Sequence, residues 1–320
     1  MARRTRVGPR TEVDSEGRRD NMKLAILVGD RREVEAAGYF RGWVEEVVIA
    51  GCPVNLVPEG IGYTRGLPEA LAGARLVVGP VLGLDSSGGI KNAYGCEMKL
   101  EETALASMQK GGLLFFGSSN PALEVAAAAA GVRVIPYRER DDFAILNSIP
   151  SAEGALQVAM ENLPVTLHGS TALVLGLGRT GLTLARMLCG LGARTVVVAR
   201  NPAQLARAAE MGCCPVPLRN LGAVIREGTV VFNTIPALVL NREVLGKAQP
   251  ELLIIDLASA PGGTDFAGAG ELGLKTIWAL GLPGKVAPRT AGRAIFQVVA
   301  SFLAREFPEE FADVKSLPTS

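Results

Sequence analysis

The sequence predicts the α/β fold class, with two doubly wound parallel sheets arranged as two domains. Its predicted strands are apolar along their whole length, which is typical of parallel strands that helices cover on both faces. Helical segments alternate with these strands over nearly the whole chain. The length of 320 residues is enough for two ordinary domains. A net charge of +1 argues against a surface dedicated to nucleic acid, and no apolar run reaches the ~18 residues that span a membrane.

The first predicted domain covers residues 22–150 and follows a leader formed by residues 1–21. The leader is polar and arginine-rich and lacks hydrophobic periodicity, so we expect it to be disordered or to result from a start codon assigned too early. Five apolar runs predict strands: 23–30, 52–60, 75–81, 113–119 and 132–137. Helices are predicted between them: 33–51, 67–74, 100–112 and 121–131.

The second predicted domain covers residues 151–287. Ser151 and Glu153 precede an apolar run that ends before Pro164, which predicts a linker helix at the start of this domain. Six apolar runs predict its strands: 171–177, 193–200, 214–218, 229–236, 252–259 and 275–281. The amphipathic segment 288–312 predicts a C-terminal helix that crosses back to the first domain, and we expect an interdomain crevice.

The stretch LVLGLGRTG carries Gly176, Gly178 and Gly181 in the spacing G-x-G-x-x-G. A strand precedes these glycines and a helix follows them, which is the arrangement of a Rossmann-like dinucleotide site. The first glycine permits a tight turn, the second lets the backbone approach a pyrophosphate, and the third lets the helix pack closely on the strand. Arg179 and Thr180 begin the helix, where we expect contacts with the phosphates of the cofactor.

The end of the second strand of this domain predicts which cofactor binds. An NAD site carries Asp or Glu there, whereas this chain has Arg200 followed by Asn201. A guanidinium attracts the 2′-phosphate of NADP, and an asparagine amide adds a donor. The sequence therefore favours NADP over NAD. The alternative is that Arg200 is solvated and that the site takes either cofactor.

Two further strand ends face the same crevice, where open α/β sheets bind their ligands. Asn233, Thr234 and Pro236 follow one strand, and the polar pair can hydrogen-bond the nicotinamide ribose. Asp256 ends the next strand and is a candidate for cofactor binding and for catalysis. The alternative for Asp256 is a cap on the following turn.

The stretches LNSIPSAEGAL, LHGSTALVLGLGRTG, NTIPALVL, IIDLASAPGGTDF and LGLPGKVAPRTAG carry a more specific signal than the glycines alone. In these stretches the chain resembles the dipicolinate synthase A-subunit family of endospore-forming bacteria, from about Lys23 to Phe307. The resemblance implies NAD(P)-dependent oxidation of 4-hydroxy-tetrahydrodipicolinate, or of its dihydro product, to dipicolinate. It also implies the dipicolinate synthase B-subunit as a partner and a place in the cytoplasm of the mother cell during sporulation. We further expect a homo-oligomer.

A dicarboxylate substrate needs anion-binding groups. Loops rich in glycine and serine end two strands of the first domain, and backbone and hydroxyl donors in such loops bind anions. Further polar residues lie at the predicted hinge between the domains. The candidates for substrate binding are Ser86, Ser87, Lys91, Ser118, Ser119, Asn147 and Ser151. The alternative for any one serine is ordinary turn chemistry.

Hydride transfer to a nicotinamide also requires a proton acceptor. Lys285 and Thr290 follow the last strand, where a cation suits an acidic substrate; the alternative for Lys285 is an ordinary exposed lysine. Lys285, Glu153, Asp256 and water all stay open as the base. His168 precedes its strand, at the end far from the crevice, which argues against catalysis. We expect no metal.

Two other functions stay open. The chain could be a non-catalytic, NADP-binding scaffold whose chemistry needs the partner, since no compelling acid–base pair is visible. It could also be a shikimate- or alanine-dehydrogenase-like enzyme on the same two-domain plan. The shikimate type relies on a Lys–Asp pair in the first domain, and this chain shows no such pair in the expected context.

Overall fold

The computed structural model describes residues 19–85 and 87–311. These residues divide into two compact units. Unit 1 contains the described residues up to Phe143 and those from Pro288 onward, and unit 2 contains Ala144–Ala287. Residues 1–18 of the predicted leader and the substrate candidate Ser86 lie outside the described residues.

Six strands form the sheet of unit 1: β1 (Arg19–Leu27), β2 (Val44–Ala50), β3 (Gly62–Tyr63), β4 (Leu76–Val78), β5 (Leu113–Phe116) and β6 (Arg133–Pro136). All neighbouring strands are parallel, and their order is β3-β2-β1-β4-β5-β6. The strand order reverses between β1 and β4, which creates a crevice at their carboxyl ends. The predicted doubly wound sheet is confirmed.

Four helices connect these strands: α1 (Arg31–Arg41), α2 (Leu67–Leu71), α3 (Glu102–Ala106) and α4 (Pro121–Ala129). The prediction of one helix over residues 33–51 is wrong, because α1 ends at Arg41 and β2 begins at Val44. The sequence VEEVVIA is rich in β-branched residues, which suit a buried strand. The predicted strand 52–60 is also wrong, since the segment holds a short 3-10 turn at Val54–Leu56.

The helix α5 (Asp141–Asn162) begins ten residues before the predicted start at Ser151 and continues through Pro150. Proline removes one backbone donor and usually interrupts a helix, which is why the sequence pattern indicated a start after it. The division between the two units falls within the first turn of α5, after Phe143. The predicted division was at residues 150 and 151.

Six strands also form the sheet of unit 2: β7 (Thr171–Leu175), β8 (Arg194–Ala199), β9 (Cys214–Pro217), β10 (Val230–Asn233), β11 (Leu253–Asp256) and β12 (Lys275–Trp278). They are parallel, in the order β12-β11-β10-β7-β8-β9. The order reverses between β7 and β10, so the carboxyl ends of these two strands mark the expected binding crevice.

The helices of unit 2 that follow α5 cover this sheet: α6 (Arg179–Gly190), α7 (Pro202–Glu210), α8 (Leu221–Val224), α9 (Arg242–Leu245), α10 (Phe266–Glu271) and α11 (Leu282–Val286). Helix α6 buries Leu184 and Leu188 in the same apolar cluster as Val174 of β7 and Phe232 of β10. This packing fixes the start of α6 at the carboxyl end of β7.

The predicted C-terminal helix is α12 (Pro288–Glu306), and the short α13 (Pro308–Phe311) follows it. Helix α12 belongs to unit 1, which confirms that the chain crosses back to the first domain. The ring of Phe296 lies edge-on to that of Phe40 at 4.9 Å between centroids, and Phe302 lies edge-on to Phe115 at 5.4 Å. The helix therefore completes the core of unit 1.

None of the described helices is both long and apolar enough to cross a membrane. Within residues 19–85 and 87–311, no group of three or more His, Cys, Asp and Glu side chains could hold a metal ion. Two thiols do lie close together in unit 2, where the Sγ atoms of Cys189 and Cys213 are 3.4 Å apart.

Candidate functional site

The three glycines of the loop between β7 and α6 have distinct local environments. Gly176 has a φ of 87°, which favours glycine. A Cβ atom at Gly181 would clash with the carbonyl oxygen of Gly176, so only glycine permits this packing of α6 on the loop. A Cβ atom at Gly178 would meet no atom of the described residues within 4 Å. Open space therefore faces the loop at its second glycine.

The first turn of α6 points its backbone N–H groups toward this space. Gly178 is the N-terminal cap residue and has no side chain with which to cap the helix. The first N–H groups of a helix and its dipole attract anions. Arg179 is exposed and Thr180 is half-buried, both at the start of α6. The arrangement fits the pyrophosphate of a dinucleotide.

A cavity of about 600 Å³ opens at this loop. It lies where the ends of β7, β8 and β10 meet. Its lining residues are Gly176, Leu177, Gly178, Ala199, Arg200, Asn201, Gln204, Thr234, Ile235 and Pro236. Six of the predicted cofactor residues are thus brought together, and Gln204 is a lining residue that the sequence analysis missed. Its position one turn into α7 follows from the helix beginning at Pro202.

Polar groups at the end of β8 face this cavity. Arg200 is exposed and directly follows the last residue of the strand. Asn201 caps α7, because its Oδ1 accepts a hydrogen bond from the backbone N–H of Ala203 at 2.9 Å. The cap fixes the side chain of Asn201 and directs its amide oxygen to the helix. The Gln204 side chain adds an amide to the same wall.

The two polar residues at the end of β10 differ in burial: Thr234 is half-buried and Asn233 is fully buried. The Thr234 hydroxyl donates to the carbonyl oxygen of Leu175 at 2.8 Å, which ties β10 to β7 beside the cavity. Asn233 is fully buried: its Nδ2 donates to the Ile235 carbonyl and to Asp256, and its Oδ1 accepts from the Ile235 N–H. The prediction that the Asn233 side chain bonds the nicotinamide ribose is not supported, because its hydrogen-bonding groups are engaged within the loop.

Asp256 is also fully buried, which argues against the predicted roles in catalysis and in cofactor binding. Its Oδ1 accepts from Asn233 Nδ2 at 3.0 Å and from Ala258 N at 2.9 Å. Its Oδ2 accepts from Gly263 N at 2.9 Å and from Thr264 Oγ1 at 2.7 Å. The carboxylate therefore orders the loop after β11, as in the alternative interpretation of a turn cap.

None of the other candidate bases is among the described residues that line the cofactor cavity. Glu153 is exposed on α5 and lines an apolar groove between α5 and α6, which shares no lining residue with the cavity. Lys285 is exposed in α11 of unit 2. His168 lies before β7 and packs on Gly192, at the amino end of the sheet. The position of His168 agrees with its exclusion from catalysis.

The substrate candidates of unit 1 occupy loops at the carboxyl ends of β4 and β5. The Ser87 hydroxyl donates to Asp85 at 2.7 Å in an exposed turn, and Lys91 is exposed in the same loop. Ser118 is half-buried, and its hydroxyl oxygen packs so closely on Gly83 that a Cβ atom there would clash with it. Ser119 is half-buried beside the cap of α4. The structure thus brings Ser118 against the loop that carries Lys91.

The remaining substrate candidates are distributed over two helices. The Ser151 hydroxyl donates to the Asn147 carbonyl at 2.8 Å, one turn earlier in α5, so this group is engaged within the helix. The side chain of Asn147 is half-buried. Thr290 is exposed in the first turn of α12, in unit 1. Lys285 belongs to unit 2, so the predicted pair falls in different units.

The sequence analysis missed a buried polar cluster at the start of α1. Asp30 accepts a bidentate ion pair from Arg32, with 2.6 Å between Arg32 Nη2 and Asp30 Oδ2, and both residues are buried. Glu33 is fully buried beside them, and Tyr137 donates to the Gly79 carbonyl at 2.9 Å. The sequence signal was DRRE directly after a strand, which is the pattern of a capping box.

Burial dominates the acid–base properties of this cluster. It raises the pKa of Glu33 to about 7, and the neighbouring Asp30 carboxylate adds to the rise while Arg32 opposes it. Burial also raises the pKa of Tyr137 well above its ordinary value. Burial lowers the pKa of Arg32, but the hydrogen bond to Asp30 and the nearby carboxylates outweigh it and the net pKa is raised. Arg32 and Tyr137 therefore keep their protons near neutral pH.

Known proteins resemble both units of the chain. The family described as the N-terminal domain of the dipicolinate synthase A-subunit matches residues 23–138. The dipicolinate synthase A-subunit of Bacillus subtilis (strain 168) is 36% identical over 293 residues, which cover 90% of this chain and 98% of that protein. This chain belongs to the dipicolinate synthase A-subunit family. The resemblance expected from the sequence is confirmed.

Solved structures agree with this family assignment. The crystal structure of the dipicolinate synthase A-subunit from Bacillus halodurans has a TM-score of 0.81 and 34% identity, covering 89% of this chain and 98% of that chain. The A chain of dipicolinate synthase from Bacillus subtilis has a TM-score of 0.80 and 36% identity, covering 92% and 100%. An L-alanine dehydrogenase, at 14% identity and a TM-score of 0.58 over 90% and 91%, shares the fold.

Residues of unit 2 also match a second protein family. Residues 151–261 match the NAD binding domain of the D-isomer specific 2-hydroxyacid dehydrogenases. This region contains the glycine loop and every lining residue of the 600 Å³ cavity. The match and the geometry together support a nicotinamide cofactor in unit 2 and an oxidoreductase function for the chain.

Proposed function

We propose that this chain is the dehydrogenase component of a dipicolinate synthase. It oxidises dihydrodipicolinate, supplied as such or by loss of water from 4-hydroxy-tetrahydrodipicolinate, to dipicolinate. The observation that carries the proposal is the cavity at the glycine loop, in a chain of the dipicolinate synthase A-subunit family. The cavity provides for a nicotinamide dinucleotide, and the family supplies the substrate class.

The reaction removes two hydrogens from the ring of the substrate. One leaves as a hydride, which the nicotinamide accepts when it is bound, and the other leaves as a proton. Aromatisation of the ring drives the step, so a strong base is not required. With Asp256 engaged in the loop after β11, Lys285, Glu153 and water remain as candidate acceptors of the proton.

We propose NADP as the preferred cofactor, with NAD possible. Arg200, Asn201 and Gln204 line the cavity at the end of β8, where the ribose 2′ position of a bound dinucleotide falls in this fold. None of the described residues that line the cavity is acidic. A guanidinium and amide groups favour a phosphate there, whereas an NAD site would place a carboxylate against the ribose hydroxyl.

The substrate would bind to unit 1 through its two carboxylates. Ser87, Lys91, Ser118 and Ser119, at the ends of β4 and β5, are the donors that we propose for it. Lys285 and Thr290 remain further candidates. The relatives are designated A-subunits, which supports a dipicolinate synthase B-subunit as partner. We place the complex, with this chain as a homo-oligomer, in the cytoplasm of the mother cell of a sporulating bacterium.

One observation favours a second candidate function. Asp256, the candidate acid at the end of β11, is fully used as a structural acceptor. The chain could therefore bind NADP and leave part of the chemistry to the partner. This alternative predicts cofactor binding by the isolated chain without turnover.

A direct assay separates these functions. The substrate 4-hydroxy-tetrahydrodipicolinate is generated in situ, NADP⁺ or NAD⁺ is added, and dipicolinate is followed with this chain alone and with the B-subunit. Dipicolinate from the chain alone is the expected result and makes it the dehydrogenase. Product only in the presence of the B-subunit supports the second function, and no product in either case contradicts both.

A further inference from the structure

The buried carboxyl group of Glu33 lies at the point where the sheet of unit 1 reverses its strand order. Residues 28–30 join β1 to α1, and we call them the junction. Glu33 lies in the first turn of α1, directly after the junction. The neighbouring strand across the reversal is β4. Ligands of open α/β sheets bind at such a reversal. A group that controls the loops at this point can therefore control a binding site.

Glu33 connects the two sides of the reversal. Its Oε2 accepts hydrogen bonds from the N–H groups of Asp30 at 2.8 Å and of Gly29 at 3.3 Å. Its Oε1 accepts from the N–H of Val81 at 2.9 Å, 48 residues further along the chain. A capping box accounts for the bond to Asp30, whereas the bond to Val81 serves no helix. The carboxyl group thus ties the start of the loop after β4 to the junction.

The same loop returns to the same junction. We call its described residues, 80–85 and 87–93, the β4 loop. The N–H of Ala93 donates to the Gly29 carbonyl at 2.7 Å, and Asn92 Nδ2 donates to the Val28 carbonyl at 2.6 Å. Both limbs of the β4 loop are therefore anchored at the end of β1, the outgoing limb through Glu33.

The β4 loop carries two of the proposed substrate donors, Ser87 and Lys91. Its inner side contacts the loop after β5, since Gly117 N donates to the Pro80 carbonyl at 3.1 Å and Ser118 packs on Gly83. The position of these donors depends on how the base of the loop is held. Glu33 touches none of them, so its role is to position them.

We propose that Glu33 is a positioning residue for substrate binding: its carboxyl group holds the β4 loop on the end of β1, and the loop opens more readily once that group has lost its proton. The substrate part of this proposal rests on the proposed function. The attachment of the loop itself does not, because it is a property of unit 1 alone.

The charges around Glu33 explain why its ionisation opposes the closed loop. The charged and titratable groups near it are Asp30, Arg32, Tyr94 and Tyr137, with Arg138 beside Tyr137. Arg32 is paired directly with Asp30, and Arg289 of α12 is directed to Glu35. A Glu33 anion would be fully buried beside the Asp30 carboxylate, and these two effects outweigh Arg32 and the backbone N–H bonds, which favour the anion. Opening the loop hydrates that anion.

Proton linkage gives the sign of the effect. Burial raises the pKa of Glu33 from 4.5 to about 7 in the closed loop. If the opened loop restores the ordinary value, the closed form binds the proton more tightly and is favoured at low pH. Protection of the loop then falls about tenfold per pH unit between the two pKa values and levels off above pH 7. The neutral acid keeps its carbonyl oxygen as a full acceptor for these backbone N–H groups.

The test is hydrogen exchange of the β4 loop in the full-length chain from about pH 5 to 8.5, corrected for intrinsic exchange rates. Wild type is expected to lose protection in the loop, about 40-fold between pH 5 and pH 7 and about 75-fold by pH 8.5, as the linkage requires. Glu33→Gln cannot ionise, so its protection should not change with pH; the level should lie below that of wild type at pH 5, because the amide NH2 group faces backbone N–H donors. Glu33→Ala should have low protection at every pH. Glu35→Gln, on the same helix but paired with Arg31 and Arg289 instead of the β4 loop, should follow wild type.

The outcomes decide the proposal without ambiguity. A pH-dependent loss in Glu33→Gln equal to that of wild type, or no loss in wild type, would overturn it. Should Glu33→Ala not fold, the comparison of wild type with Glu33→Gln still decides. Turnover adds a separate readout: Glu33→Ala should raise the substrate KM about tenfold or more while kcat and NADP affinity change little. Exchange results as expected without dipicolinate formation leave the attachment intact and contradict only the proposed function.

Discussion

At the scale of single residues, the site depends on which polar side chains reach the cavity and which are buried in the loops beside it. Thr234 and Arg200 line the cavity, whereas Asn233 and Asp256, one strand position or one loop away, are buried and fully bonded. Sequence patterns placed all of them at strand ends, which the structure agrees with. The patterns could not separate them, because burial depends on how the loop after β11 folds back on β10.

Arg200 gives the sharpest prediction at this scale. Replacing Arg200 by Asp should weaken NADP⁺ binding by about tenfold to a hundredfold, because it removes a charge-assisted bond and adds repulsion. NAD⁺ affinity should change much less. Dissociation constants for both cofactors, measured by fluorescence titration, test this. The control is Arg207→Asp on α7, which lies outside the cavity lining. Equal weakening of both cofactors would contradict the role of Arg200.

Asp256 should behave as a structural acceptor. Asp256→Asn turns one acceptor atom into a donor that faces other donors, which should cost about 3 kcal/mol and lower the Tm by roughly 10 °C. Asp265→Asn, which keeps the cap of α10, should cost under about 1 kcal/mol. Thermal unfolding measures both changes. Loss of turnover in Asp256→Asn with an unchanged Tm would return Asp256 to the candidates for catalysis.

Lys285, close to the C-terminal end of unit 2, is a charged candidate for substrate binding. Lys285→Met should raise the substrate KM by about tenfold or more, as expected for loss of a charged hydrogen bond, while NADP affinity stays similar. Steady-state kinetics with the in situ substrate provide the measurement. Lys275→Met, on the exposed edge strand β12, is the matched control. An unchanged KM would make Lys285 an ordinary surface lysine.

At the scale of elements, local patterns predicted most of the fold and failed at two particular junctions. The glycine loop could be predicted because its turn, its open space and its close packing each require a residue without a side chain. The end of α1 could not, since only Gly42 and Trp43 separate it from β2 and the apolar run continues. Likewise, Pro150 led to a predicted helix start at Ser151, so the first half of α5 was not predicted. The bond from Glu33 to Val81 joins elements 48 residues apart, so no local pattern contains it.

The glycine loop makes a prediction that separates its binding role from its folding role. Gly178→Ala should change stability by under about 1 kcal/mol, because the added methyl group enters open space, but should weaken NADP binding more than about tenfold. Gly181→Ala should instead destabilise unit 2 by about 1–3 kcal/mol, since its Cβ would clash with Gly176. Thermal unfolding and cofactor titration on both variants give the comparison. If Gly178→Ala binds NADP normally, the cofactor does not approach this loop.

At the scale of the whole molecule, the chain builds two doubly wound units and uses its C-terminal helices to finish the first. The sequence order is unit 1, unit 2, unit 1, so unit 2 is continuous and unit 1 is not. Each unit contains one strand reversal: β1/β4 in unit 1 and β7/β10 in unit 2. The cofactor residues described above all belong to unit 2, whose own apolar clusters support its sheet.

This discontinuity predicts different effects of one truncation on the two units. A chain that ends at Ala287 lacks Phe296 and Phe302, each worth about 3 kcal/mol or more in the core of unit 1. Together with the rest of α12, this loss should exceed the ~5–15 kcal/mol that stabilises an ordinary domain. Hydrogen exchange should therefore show β1–β6 unprotected, while β7–β12 stay protected and NADP still binds. Loss of NADP binding on truncation at Ala287 would mean that unit 2 depends on unit 1 for its fold.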